Sequence, residues 1–187
     1  MTIFFREIAR EDLPIINRWR NDRAVIDFLG NTFIYINQEI DNRWFDAYLQ
    51  NRQTAVRWAI CVQNDVQTDV QNEKNLTPTP LNTEGVLTIG TVQLTNIHAL
   101  NRNAEFSIMI GDKNYWSRGV GEQAAREMVR HGFQDLNLHR IYLYVLPQNT
   151  RAIKLYEKIG FQTEGILRGS IFKNGDYQDL ILMAILK

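Results

Sequence analysis

The chain reads as an α+β domain built on a mixed, mostly antiparallel sheet, and three stretches carry that expectation. "AEFSIMI" (Ala104 to Ile110) alternates, with Ala104, Phe106, Ile108 and Ile110 on one face and Glu105 and Ser107 on the other. "RIYLYVL" (Arg140 to Leu146) is a nearly continuous apolar run, as expected of a strand covered on both faces. "KNGDY" places Asn174-Gly175 between two strand-like segments, and this pair favours the positive φ angles of a tight hairpin.

The elements follow in order. "TIFFREI" (Thr2 to Ile8) reads as a strand. "REDLPIINRWRND" (Arg10 to Asp22) reads as a short helix, with Asp12 near its start, Pro14 tolerable in the first turn, and Leu13, Ile16 and Trp19 at helical spacing. Asn37 to Gln50 forms a second helix, with Ile40, Trp44, Tyr48 and Leu49 expected on its buried side. "VRWAICV" (Val56 to Val62) alternates as a strand does. The polar stretch Gln63 to Gly85 is read as a long exposed hairpin connection within one domain. Strands are expected at Val86 to Ile97 and Ala104 to Ile110. Next comes a helix whose buried stripe is Ala125, Met128, Val129, Phe133 and Leu136. After the strand at Arg140, a helix from Thr150 to Lys158 places Ala152, Leu155, Tyr156 and Ile159 on one face, and Gly160 sits where a C-cap glycine belongs. Two strands, near Thr163 to Phe172 and Gln178 to Ile185, close the chain.

With 187 residues, 44% hydrophobic and 22% charged, the chain suits one domain with a substantial core. Lys+Arg and Asp+Glu both total 21, so the net charge gives no reason to expect a nucleic-acid or membrane partner. The single cysteine, Cys61, and the absence of a leader-like N-terminus or a long apolar run lead to the expectation of a cytoplasmic protein.

The chemistry begins at "YWSRGVGEQAAREM" (Tyr115 to Met128), where Gly119 and Gly121 precede a helical pattern. Gly119 to Ala124 fits the letters of the dinucleotide fingerprint G-x-G-x-x-A. That fingerprint needs a strand directly before it and an acidic residue about 20 positions on. Here eight residues, Gly111 to Arg118, intervene, and the later position falls on His139 and Arg140. A triphosphatase loop needs Gly-Lys-Ser/Thr, which the chain lacks. What remains is a helix N-terminus with free N–H groups and no side chains in the way. It suits a phosphate, and as a bare motif it suits a tight turn equally well.

The glycine loop, the strand "LHRIYLYVL" and the following "PQNTRAIKLYEKIGFQTEG" (Pro147 to Gly165) together resemble the acyl-CoA-binding half of the Gcn5-related N-acetyltransferases (GNAT). Within that superfamily, Ala104 to Leu186 resembles the Rim-type group, which acetylates ribosomal-protein N-termini. The resemblance implies an α/β/α-layered domain with about seven strands and about four helices. It implies acetyl-CoA as co-substrate, no metal, and an amine acceptor: most directly a peptide α-amine, alternatively a polyamine, amino sugar or aminoglycoside. A non-catalytic acyl-CoA sensor is a further alternative, and monomer or homodimer stays open. The superfamily loop starts with Gln or Arg, where this chain has Trp116. The resemblance assigns the pyrophosphate to N–H groups of Arg118, Gly119, Val120, Gly121 and Glu122. It assigns the pantetheine arm to the strand edge Ile108, Met109 and Ile110 and to Asn149.

Acyl transfer to an amine needs a neutral amine, a polarised thioester carbonyl and a proton for the leaving thiolate. At pH 7 a lysine-type amine is neutral to only roughly a few parts in ten thousand, and an α-amine to roughly a tenth. Tyr156 shares the stripe of Ala152 and Ile159, so by spacing alone it is a core residue; the resemblance makes it the acid that protonates the thiolate. Glu105 is the candidate base, acting through water, although a salt-bridged or solvated strand carboxylate accounts for it equally. The remaining candidates are weaker. His98, His131 and His139 have no ligand spacing with Cys61 or with one another. Trp19, Phe33, Tyr35 and Trp44 suit a core at least as well as a cleft. Asp176 and Asp179, near the last hairpin, are candidates to attract a cationic amine, although a solvated turn accounts for them better.

Overall fold

The protein is described by a computed structural model that covers residues 2–63 and 85–187. The expected hairpin connection at 63–85 falls almost wholly outside the described residues. Seven strands stand in the order β1-β2-β3-β4-β5-β7-β6. In chain order, β1 (Ile3–Glu7) leads to α1 (Leu13–Arg20), α2 (Arg23–Ile26) and α3 (Gln38–Gln50). Then come β2 (Val56–Gln63), β3 (Val86–His98), β4 (Asn103–Ile110), α4 (Val120–Gln134), β5 (Arg140–Val145), α5 (Thr150–Ile159), β6 (Gln162–Lys173) and β7 (Asp176–Leu186). Among the described residues only β4 and β5 pair in parallel; every other neighbouring pair is antiparallel.

The layers follow from side-chain alternation. Ala104 and Phe106 of β4 face α4 and α5, in a core with Met128, Ile141, Leu143, Tyr156 and Phe161. On the opposite face Met109 joins Leu13, Ile16, Trp19 and Phe45 beneath α1 and α3. The Asn174-Gly175 turn has φ of 55° and 87°, both positive as the pair predicts, and Gly160 ends α5 at φ 108°.

Two expectations need adjustment. A fifth helix is present because Asp22 caps Ala24 N–H (2.9 Å) and starts the single turn α2. The buried side of α3 is Asp41, Phe45 and Tyr48, with Trp44 half-buried, whereas Ile40 and Leu49 are exposed. A carboxylate displaces the apolar stripe. Asp41 is buried because Arg20 pairs with it and Asn17 donates to it at 2.5 Å, and no apolar pattern encodes that.

Asp12 ties α1 to the sheet in the same way. Arg6 grips both of its oxygens at 2.7 Å, Ala9 N–H donates at 2.8 Å, and the Thr88 hydroxyl donates at 2.8 Å. Burial alone raises its pKa, but Arg6, Ala9 and Thr88 outweigh burial and hold the carboxyl below its ordinary value. This pair therefore contributes its full stability above the ordinary aspartate range and loses it as pH falls through the lower folded-state value. Asp12→Ala is expected to cost about 2–4 kcal/mol in denaturant unfolding at pH 7, with the difference from wild type shrinking in acid.

Candidate active site

The single parallel junction opens the sheet. β4 and β5 pair only over Asn103–Glu105 with Arg140–Tyr142, yet β4 continues to Ile110 and β5 to Val145. β5 stays bonded to β7 through Val145, so the two strands part beyond Glu105. Gly111 N–H donates to Ile89 of β3 (3.0 Å), and the Trp116 indole donates to the Ile110 carbonyl (2.8 Å). Successive peptide groups along a strand point to opposite sides, so those of Ile108 and Ile110 face the gap and that of Met109 faces β3. Three residues expected to offer one edge thus divide: two present peptide groups, and Met109 presents its side chain to the cleft. Trp116, the departure from the superfamily loop, anchors the end of this edge.

A cleft of about 830 Å³ occupies the opening. It is lined by Glu105, Ser107 and Met109 from the sheet, Leu155 and Tyr156 from α5, Trp44 from α3 and Gly121 from α4.

At the start of α4, Gly119 is left-handed (φ 78°), and a Cβ added there would meet nothing within 4 Å; its glycine is a matter of conformation. Gly121 differs. It is helical, and a Cβ there would meet only Leu155 Cδ1 at 3.5 Å, an ordinary contact. Neither backbone nor packing demands glycine at 121, which leaves the access it gives to the cleft. The first bond within the helix is Gln123 N–H to Gly119 O (3.1 Å), so the N–H groups of Val120, Gly121 and Glu122 have no intrahelical acceptor. The Glu122 carboxylate, held below its ordinary pKa by Lys158 (2.6 Å) and then Arg126 (3.1 Å), is neutralised in place. Arg118 lies over the Tyr115 ring, 5.7 Å from its centroid. These groups fit a pyrophosphate in donor type and sign of charge.

Tyr156 is 8% exposed and packs against Phe106 and Phe161 with ring centroids 6.0 and 5.8 Å away. Burial pushes its phenol up to about 12, so it keeps its proton throughout the neutral range. Glu105 is half-buried, and Asn96 donates to it at 2.9 Å. Asn149 lines the cleft, but its amide is used by the protein itself: it accepts from Ala152 N–H (3.2 Å), capping α5, and donates to the Phe28 carbonyl (2.9 Å).

The weaker candidates disperse. Trp44 lines the cleft, Trp19 is core, Tyr35 is exposed, and Phe33 meets Tyr35 edge-to-face with Arg23 over its ring. His98 accepts from Asn101 N–H (3.1 Å), His131 pairs with Asp135 (2.8 Å), and His139 N–H donates to Arg102 O in the turn before β5. Asp176 and Asp179 accept from Tyr177 and Gly169 N–H at 2.8 Å. Among the described residues no group of His, Cys, Asp and Glu is arranged to hold a metal, and no helix is long and apolar enough to cross a membrane.

Sequence reasoning missed Lys173. It is 2% exposed, and its Nζ donates to the carbonyls of Ile26, Leu29 and Asn31 at 2.8, 2.9 and 2.9 Å, three residues of the cleft wall. Burial lowers its pKa, and the three carbonyls compensate with directed acceptors. Nothing in an alternating hairpin strand marks this lysine as inward-facing. Lys173→Met is expected to destabilise the protein by on the order of 3 kcal/mol. Thermal unfolding measures the loss.

Comparison with known proteins gives a consistent picture. The profile of the acetyltransferase (GNAT) domain family matches residues 2–162. Spermidine N(1)-acetyltransferase of Escherichia coli K12 is 41% identical over 96 residues, 51% of this chain and 51% of that protein. The chain thus aligns with about half the length of these curated relatives. YdaF of Bacillus subtilis, a provisionally named ribosomal N-acetyltransferase, is 27% identical over 78% of this chain and 85% of its own. The crystal structure of Vibrio cholerae spermidine N-acetyltransferase in complex with CoA and spermine superposes with a TM-score of 0.80 at 28% identity, covering 98% of this chain and 95% of that one. The fold expectation of a seven-stranded mixed sheet between helical layers agrees with this likeness.

Proposed function

The chain belongs to the acetyltransferase (GNAT) domain family, and from that premise we propose that it transfers the acetyl group of acetyl-CoA to a small primary amine. The observation that carries this reading is one cleft bounded by the parted edge of β4, the open N-terminus of α4 and the protonated phenol of Tyr156. Its likeness to spermidine acetyltransferases supports a small-amine acceptor. The similarity to YdaF keeps a peptide α-amine as the second reading.

In the proposed mechanism, acetyl-CoA supplies an acetyl group activated as a thioester. Val120, Gly121 and Glu122 N–H groups bind its pyrophosphate, and the peptide groups of Ile108 and Ile110 bind its pantetheine arm. An N–H of that edge donates to the thioester carbonyl, which draws charge onto oxygen as the amine attacks. Glu105, through water, takes a proton from the amine. Tyr156 gives its proton to the departing sulfur and recovers one from solvent, to which Glu105 releases the proton it took, so charge and protons balance. Alignment of the two substrates between α3 and β4 contributes alongside these proton transfers.

The test is acetyl-CoA-dependent thiol release with spermidine, an amino-sugar nucleotide, an aminoglycoside, amino acids, and Ser-, Ala- and Met-starting peptides, beside a no-amine control. Release with a small amine above that control supports the proposal. Release with peptides alone transfers it to the second reading. Acetyl-CoA binding without release in any case turns it to an acyl-CoA sensor.

A further inference from the structure

The cleft lining carries more arginine than carboxylate, the reverse of a lining that would collect a polycation. Among the described residues the lining includes three arginines, Arg20, Arg57 and Arg151, and one carboxylate, Glu105. Spermidine-like amines bear two or more ammonium groups at neutral pH, and Glu105 is the one carboxylate among the described lining residues to meet them. Arg20 is neutralised by the buried Asp41. Arg57 is not.

Arg57 rises from β2 onto the face beneath α3, between the rings of Trp44 and Tyr48 at 4.8 and 5.6 Å. Its Nη1 donates to Gln93 Oε1, and Gln93 Nε2 donates to Ser107 Oγ (2.7 Å), a polar row across β2, β3 and β4 that ends beside Glu105. Arg57 Nε is buried without an acceptor, and no carboxylate among the described residues pairs with this guanidinium within 4.0 Å. Burial lowers its pKa, and Arg20 adds to the lowering, yet a guanidinium keeps its charge in any protein setting. The protein thus holds a half-buried, always-charged fork on the cleft floor and supplies no anion to meet it. The aromatic faces hold such a group in place but do not neutralise it.

We infer that Arg57 is a specificity-determining residue that binds a carboxylate of the acceptor, so that the substrate is an amine carrying its own carboxylate, of the amino-acid type, and not a polyamine. This rests on the acetyl-transfer reading above and narrows its acceptor. The carboxylate would meet the planar fork on one side of the cleft while the amine approaches Glu105.

The test compares kcat/KM for α-amino acids, ω-amino acids of increasing length and dipeptides with that for their carboxamides, and with spermidine. Wild type, Arg57→Lys and Arg57→Met are assayed, and acetyl-CoA affinity is measured separately by calorimetry. At least one carboxylate-bearing amine is expected to exceed its carboxamide by tenfold or more, mainly through KM. Arg57→Met is expected to bring that ratio close to one and Arg57→Lys to leave it intermediate, with acetyl-CoA affinity within about twofold of wild type. A ratio unchanged by either substitution overturns the inference while the acetyltransferase reading stands. So does spermidine outperforming every carboxylate-bearing amine. Turnover absent with every amine, acetyl-CoA still bound, overturns the inference and turns the acetyltransferase reading to the acyl-CoA sensor. Failure of the wild type to bind acetyl-CoA removes the reading of the cleft and this inference together.

Discussion

Tyr156→Phe is expected to lower kcat by about 10²–10⁴-fold while leaving acetyl-CoA affinity within about twofold, because only the proton donor is removed. The ring stays where it is. Its contacts with Phe106 and Phe161 are made by ring carbons, so the aromatic cluster of the core persists. The loss should be partly recovered with acyl donors whose thiolate leaves without protonation, since these do not need the phenol. A phenol raised to about 12 also bears on the pH dependence: it stays protonated from neutral pH to beyond 10, so no limb of the rate profile within that range reports Tyr156. The stability linked to this tyrosine is complete below its ordinary value near 10 and is lost as pH rises through about 12. An unchanged kcat in Tyr156→Phe, measured with saturating substrates, removes the acid assignment.

The second large effect is expected at Gly121, where stability and binding should move independently. Glycine inside a helix costs about 1 kcal/mol relative to alanine, and the space beside Gly121 accepts a Cβ in ordinary contact with Leu155. Gly121→Leu should therefore leave folding stability within about 1 kcal/mol of wild type or raise it. The larger side chain enters the cleft where the pyrophosphate is proposed to lie, so acetyl-CoA affinity should fall by about 10–100-fold. Calorimetry beside thermal unfolding measures both. Affinity unchanged in a stable variant removes the phosphate from the start of α4.

Much of this was legible from the chain. Alternation in Ala104–Ile110 separates the core residues Ala104 and Phe106 from Glu105 and Ser107, and the structure keeps that division. Asn174-Gly175 and Gly160 announce their positive φ angles because few other residues adopt them. What was not legible depends on pairs distant in sequence. Asp41 and Lys173 are buried although their residue types give no sign of it, since Arg20 with Asn17, and the carbonyls of residues 26, 29 and 31, come to them only in the fold. The row Arg57–Gln93–Ser107 needs two strand registers to appear. Asn149 was expected to meet the pantetheine arm, and its amide caps α5 and holds Phe28, a local role that the motif does not reveal. The preference for a Rim-type peptide acceptor came from the cofactor half of the chain, and the spermidine acetyltransferase relatives move the weight towards small amines.

The most direct measurement of the central claim is a titration of the protein with CoA, followed through its assigned backbone amide resonances. The largest shifts are expected at Ile108 and Ile110 on the parted strand and at Val120, Gly121 and Glu122 at the start of α4, with little change along β1 and the outer face of β6. Shifts concentrated elsewhere, such as around the surface hollow by Tyr48, Trp58 and His131, or no shifts at millimolar CoA, would contradict it.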